Sequence, residues 1–283
     1  MPVRIATKAD IPVMVQVYAA SFGPDRLFKV LFPRMDEYPG EFARALEEHL
    51  WLAWYDYSKI MMVSYRQDSH DVPEEQTPLL LGSGGSNDKR TAAGDAATTK
   101  NSQIIITGTS EWQRNGQGWE HLHGAWGRWD PRLLMRPMFA TYYRIKRFFF
   151  PNKAAIKPTA EIPEPLTYWN LMSRCGPFVQ DFYSAPHRQK NFWSLESLAV
   201  HPDYQGHGYG RELVEHGFES LVKADPSGEL PANVVAAEGK ETFYQRCGFR
   251  ELVGFICEAV DDQGRDNPLR SNGVGGGAIL WTK

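Results

Sequence analysis

The chain switches repeatedly between two hydrophobic periods. Val3–Ala6 reads as a short strand. Val13, Met14, Val17, Tyr18 and Ala20 then recur at helical spacing until Phe22-Gly23-Pro24 interrupts them. Asp10 stands where a capping carboxylate would sit, and Pro12 falls in the first turn, where a missing N–H does no harm. A second helix is predicted over 41–54, with Phe42, Ala45, Leu46, His49, Leu50 and Ala53 on one side. Residues 59–65 and 103–112 read as strands, and 133–150 and 168–183 as helices. Further on, strands are predicted at 192–200, 233–237, 249–260 and 278–282, with helices at 208–223 and 239–247. Gly248 suits the position just past a helix end.

Two stretches interrupt this rhythm. Residues 67–102 are dominated by Gly, Ser, Ala and Thr, too small and polar to offset ~1–2 kcal/mol of backbone ordering per residue, and are expected to form a disordered loop between adjacent strands. Residues 114–191 are rich in Trp, Phe and Tyr and are expected to fold. Within them, Arg128 to Lys157 hold eight Lys/Arg and one acid, Asp130. Three readings of that basic run stay open: a solvated face, a face toward an acidic substrate or phosphates, and docking of residues 144–150 (RIKRFFF) on a membrane.

Composition narrows the class. A net charge of −3 over 283 residues recruits neither nucleic acid nor a membrane by bulk attraction, so no nucleic-acid partner and no stable membrane association are expected. Cys175, Cys247 and Cys257 are an odd, sparse set without metal spacing, which suits a reducing compartment. The first residues lack the apolar core of a secretion signal, and no run reaches the ~20 apolar residues of a membrane span. A cytoplasmic protein is the resulting expectation. His121-Leu122-His123 has strand-like ligand spacing but sits among aromatics, and no metal is expected.

The sharpest chemical signal is LAVHPDYQGHGYGR, residues 198–211. An apolar strand ends at His201-Pro202, a glycine-rich arm follows, and Arg211 opens a helix. Glycines let backbone N–H groups turn toward an anion, and a helix start adds unsatisfied donors and a positive dipole end. This is the make-up of a diphosphate cradle. It lacks the terminal Lys-Ser/Thr of a nucleotide-hydrolase P-loop, and its spacing and late position do not suit the dinucleotide fingerprint. Gln205, Gly208 and Gly210 instead satisfy Q/R-x-x-G-x-G/A.

With the segment 238–249 (EGKETFYQRCGF) downstream and the opening VRIATKADI, this arm resembles the GNAT acyltransferase superfamily, most densely over 192–260. The resemblance implies a single α/β domain spanning 1–283. Its fold would be an α+β three-layer arrangement: a mixed, mostly antiparallel sheet of about seven strands with helices on both faces. It implies acetyl-CoA as co-substrate. The backbone of Leu198, Ala199 and Val200 would hold pantetheine, and Gln205, Gly206, His207, Gly208, Tyr209, Gly210 and Arg211 the diphosphate. The family's usual Asn or Ser ahead of the tyrosine helix is replaced by Ala237-Glu238-Gly239, and the two long insertions look most like fungal members.

An alkylamine with pKa near ~10.4 is almost wholly protonated at neutral pH, so acylation needs a base. Glu196 is the candidate: a carboxylate in a sequence that otherwise reads as core, two residues before Leu198 and so expected on the same strand face. A buried ion pair and a base role for His201 are the alternatives. By resemblance, Tyr244 is the acid that protonates the departing thiolate. Three functions remain open: N-acetyltransferase acting on a small amine, acetyltransferase acting on a protein lysine or N-terminus, and a silent CoA-binding module.

Overall fold

The computed structural model describes residues 2–68, 103–122, 129–160, 162–185, 188, 190–261 and 263–282. The loop predicted at 67–102 lies outside these, except for Gln67 and Asp68, which end a strand; Trp126, His123 and Arg128 are also outside.

Seven strands form one sheet in the order β1-β2-β3-β4-β5-β7-β6. In sequence they are β1 (Val3–Ile5), β2 (Lys59–Asp68), β3 (Gln103–Asn115), β4 (Phe192–Val200), β5 (Ala232–Ala236), β6 (Glu251–Phe255) and β7 (Ala278–Trp281). Every pairing is antiparallel except β4 with β5. Helices cover both faces, so the three-layer α/β expectation holds. On one face α1 (Ile11–Phe22), α2 (Arg26–Leu31) and α3 (Pro39–Trp54) bury Met14, Tyr18, Leu31, Leu46 and Leu50 against β2, β3 and β4. α4 (Arg132–Phe149) packs beside α3, and α5 (Leu171–Val179) follows it. On the other face α6 (Tyr209–Gly217) and α7 (Glu241–Arg246) enclose Trp112, Trp193, Leu213, Val214, Tyr244 and Phe249; α8 (Pro268–Ser271) is a short turn near the C-terminus.

Several local expectations are corrected. The predicted strand at 249–260 is only β6, because a 3-10 turn at Ile256–Glu258 follows at once. Asp10 does not cap α1: its carboxylate accepts from both Arg4 guanidinium nitrogens (2.7 and 2.8 Å) and from the Thr7 N–H and hydroxyl. The Arg4 bond, helped by Thr7, holds its pKa down to about 2 despite partial burial. The predicted helix 168–183 is α5 plus a 3-10 turn at Gln180–Tyr183.

The helix behind the glycine arm also changes gauge. Past Gly217 it widens, with Lys223 N–H donating to the Phe218 carbonyl five residues back (2.9 Å). Gly217 is where the helix presses on the buried Trp112 ring: a Cβ there would lie 2.3–2.5 Å from three indole atoms. We predict that Gly217→Ala lowers stability by about 1–3 kcal/mol through overpacking. Gly176→Ala in α5, where a Cβ meets nothing within 4 Å, should be neutral or slightly stabilising. Paired urea melts check this, and equal midpoints for the two variants contradict it.

Candidate active site

β4 and β5 run together for only three register pairs, Trp193–Ala232, Ser194–Asn233 and Leu195–Val234. Beyond these, β5 pairs with β7 alone while β4 continues against β3. At the parting point β4 carries a bulge. Trp112 pairs with Leu195 and Glu111 with Ser197, so Glu196 is the extra residue. His201 N–H donates to the Thr107 carbonyl in β3 (2.9 Å). By strand alternation, the backbone groups of Val200 and Leu198 therefore point away from β3 into the gap, and those of Ala199 toward β3. The Val200 carbonyl already accepts from Ser21 Oγ (2.7 Å) and Gln205 Nε2 (3.0 Å). Gln205 thus uses its side chain to tie the arm to the strand.

The arm turns through left-handed glycines, Gly206 (φ 78°) and Gly208 (φ 89°). The outer side of Gly206 is open, with nothing within 4 Å of where a Cβ would be. Among the described residues, the N–H groups of Gly206 through Arg211 donate to no protein acceptor; the first that does is Glu212, to the Gly208 carbonyl (3.0 Å). Six successive amides at a helix N-terminus form a concentrated anion-binding surface. Gly210 is the meeting point of three elements: a Cβ there would contact Val200 (3.4 Å), Phe243 (3.6 Å) and Leu198 (3.9 Å). His207 Nδ1 lies 2.8 Å from the Gln205 carbonyl, and Arg211 pairs with Glu215 along the helix (2.6 Å). His201 accepts from the Asp203 N–H (3.4 Å), so it caps the 3-10 turn Pro202–Tyr204 that follows the strand.

The bulge corrects the strand-face argument for Glu196. Ser197 meets the Tyr18 hydroxyl of α1 and Ala199 joins the α1/α3 core, whereas Leu198 packs on the α6 side. Glu196 feels Lys59, Glu111 and His49, all on the α1/α3 side, and so lies opposite Leu198. Glu196 is exposed at the surface although protein groups crowd its carboxyl. Burial pushes its carboxyl pKa up; Lys59, Ser194 and His49 only partly oppose this.

Sequence reasoning missed the groups around it. Glu111 is fully buried, accepting from Lys59 Nζ and paired with His49 Nε2 (2.9 Å). Burial alone would raise its pKa, but Lys59 and His49 outweigh it and hold the carboxyl well below the usual range. Tyr168, beside His49 (ring centroids 6.1 Å), and Tyr18 both have phenol pKa values raised by burial and by Glu111. Asn233 donates to the Tyr183 hydroxyl (2.9 Å), whose pKa burial and Glu196 raise to about 12. The available signal was a charged residue within each of two apolar strands, Lys59 in KIMMVSY and Glu111 in QIIITGTSEW. Tyr168 and Tyr183 come from the aromatic insertion.

Tyr244 sits on the opposite side of the sheet, in the α6/α7 core, 5.0 Å from the Phe243 ring. Its hydroxyl makes no hydrogen bond among the described residues, and burial raises its pKa well above the ordinary phenol value. Glu238, where the family's polar residue was expected, has its carboxylate packed against Gly275.

Comparison with known proteins fits this geometry. Residues 176–251 match the profile of the acetyltransferase (GNAT) domain, a stretch that holds β4, the glycine arm, α6, β5 and α7. The match to the GNAT profile is confined to that stretch. Solved structures similar to this chain include a histone acetyltransferase HPA2 and related acetyltransferase from Corynebacterium glutamicum (17% identity, 99% of this chain and 94% of that one, TM-score 0.49). Another is arylalkylamine N-acetyltransferase 2 from Aedes aegypti (13% identity, 99% and 97%, TM-score 0.39). No curated protein sequence matches the chain.

The Glu111–Lys59–His49 cluster should also bear on stability. Glu111, with its lowered pKa, contributes above about pH 4–5 and loses that contribution in acid. Lys59, with its raised pKa, contributes below about pH 10 and loses it in strong base. Glu111→Gln removes the carboxylate bonded to Lys59, leaving it only the weaker pull of Glu196 and Asp56, and is expected to cost about 3–5 kcal/mol at pH 7, with a smaller loss at pH 3. Chemical denaturation at both pH values tests this; a loss below ~1 kcal/mol at pH 7 would contradict the pairing.

Proposed function

We propose that this protein transfers the acetyl group of acetyl-CoA directly to the amine of a small molecule. The observation that carries the reading is the gap between β4 and β5, which opens beside the amide-lined arm. The residues present fit the ligand. The Leu198 N–H and C=O and the Val200 N–H face the gap and can meet the amides of pantetheine. The amides of Gly206, His207, Gly208, Tyr209, Gly210 and Arg211 suit a diphosphate, with Gly206 leaving room for its approach. Acetyl-CoA supplies an acyl group already activated as a thioester.

The chain's residues then divide the proton work. Glu196 accepts the amine's proton, directly or through water. Its raised pKa makes it a stronger base than an ordinary carboxylate, better matched to an amine near ~10.4. Tyr244 holds its proton throughout the physiological range and donates toward the leaving sulfur. A phenol so hard to ionise would be a poor acid toward a solvated thiolate. The same dry surroundings raise the thiolate's own proton affinity, which narrows the mismatch.

A small acceptor is favoured over a protein one because bulky side chains crowd the two carboxylates. Tyr18, Tyr168 and His49 stand around Glu111, and Tyr183 beside Glu196. Aromatic faces with carboxylates suit a compact ammonium compound, with the carboxylates favouring its charged form on entry.

Thiol release from acetyl-CoA with a panel of small amines tests the reading. We expect kcat/KM to rise with pH through an ionisation above the normal carboxylate range. Glu196→Gln should remove that limb and lower kcat by about 10²–10⁴. Tyr244→Phe should lower kcat several-fold at unchanged CoA affinity. Turnover of peptides but not amines would move the acceptor class. CoA binding without any turnover would leave a silent binding module.

A further inference from the structure

The proposed active site makes no use of α4, which is unusual on its outer side. Leu134, Met138, Tyr142, Ile145, Phe148 and Phe149 are exposed at 72, 61, 54, 53, 82 and 67%. At 3.6 residues per turn these six fall within an arc of about 120°. Phe150 extends the strip at the helix end, exposed at 66%. The opposite side holds the helix to the body. Tyr143 is buried, Phe139 stacks on Tyr55 (4.6 Å), Arg136 pairs with Asp56 (2.9 Å) and Arg147 pairs with Glu48.

Charge completes the pattern. α4 contains no acidic residue. Arg144 and Lys146 fall on either side of the apolar strip, and among the described residues neither makes an ion pair, nor do Lys153 and Lys157 beyond the helix. Lys146 instead lies over Tyr142 and Tyr143 (5.8 and 6.0 Å). Long cationic side chains flanking an apolar strip can reach outward to phosphates while the strip sinks between them. A two-fold contact between copies of this face would set its own cations against each other. A recess among Arg144, Ile145, Arg147, Phe148 and Phe149 is bordered by two guanidinium groups, which suits an anionic headgroup. Among the described residues no helix is long and apolar enough to cross a membrane.

We propose that α4 lies in the plane of an anionic lipid surface, with Phe148 and Phe149 as its deepest anchors and Arg144 and Lys146 on the headgroups. Attachment is reversible, because one short helix without a lipid anchor supports only modest affinity. This accords with the low net charge: the attraction is local to one helix. It holds whether or not the acetyl-transfer reading does.

Co-sedimentation of the full chain with phosphatidylcholine vesicles, with and without 30% phosphatidylserine, tests the proposal. We expect at least tenfold stronger binding to the anionic vesicles, weakening as salt rises. Phe148→Ser with Phe149→Ser should abolish binding at unchanged circular dichroism and Tm, since both side chains are exposed. Arg144→Gln with Lys146→Gln should reduce it several-fold. Equal binding of wild type and the double serine variant, or none to either vesicle, would overturn the proposal. So would a concentration-dependent dimer, seen by light scattering, that the serine variant abolishes.

Discussion

The arrangement depends on one break in hydrogen bonding: β4 and β5 stay paired through Leu195–Val234 and then separate. A sheet strand with one unpaired edge is costly unless something satisfies its peptide groups. Here part of the cost is met internally, by Ser21 and Gln205 on the Val200 carbonyl. The remaining groups face a wedge-shaped opening. The bulge at Glu196 occupies the same point. Trp193 and Leu195 face the α6 side, so Glu196 alternates onto the α1/α3 side, and the extra residue then returns Leu198 to the α6 side, opposite Glu196.

The two faces of the sheet are built differently. On the α6/α7 side, Trp112, Trp193 and Phe249 form a close apolar core, and Tyr244 lies in it with a hydroxyl that bonds to none of the described residues. On the α1/α3 side, apolar packing gives way near β4 to Glu111, Lys59, His49, Tyr18 and Ser197. Burying Glu111 and Lys59 is tolerable because each is the other's counterion. Under the proposed reading this separates the roles across the sheet, with carboxylates on one side of the gap and a neutral phenol on the other.

Much of the frame was legible beforehand, because its signals are local. β4 and α1 end where their sequence punctuation says, at His201-Pro202 and Gly23-Pro24. The glycine arm was legible because left-handed turns demand glycine. What could not be read depends on partners far away in the chain. The bulge follows from the register of β3 against β4, which no local pattern in 192–200 encodes. Glu111, His49 and Lys59 converge from three separate elements, and Asp10 is captured by Arg4 before it can cap α1. The tyrosines of the insertion reach the cleft through packing, and the aromatic content announced only that the segment folds.

Acetyl-CoA recognition by main-chain groups is the central claim, and backbone amide NMR reads it directly. Titrating isotope-labelled protein with CoA should perturb the amides of Gly206, Gly208, Gly210 and Arg211 together with those of Leu198 and Val200, with smaller changes on β1 and β2. Saturable binding that leaves those amides unmoved while others shift, or no binding at millimolar CoA, would contradict the account.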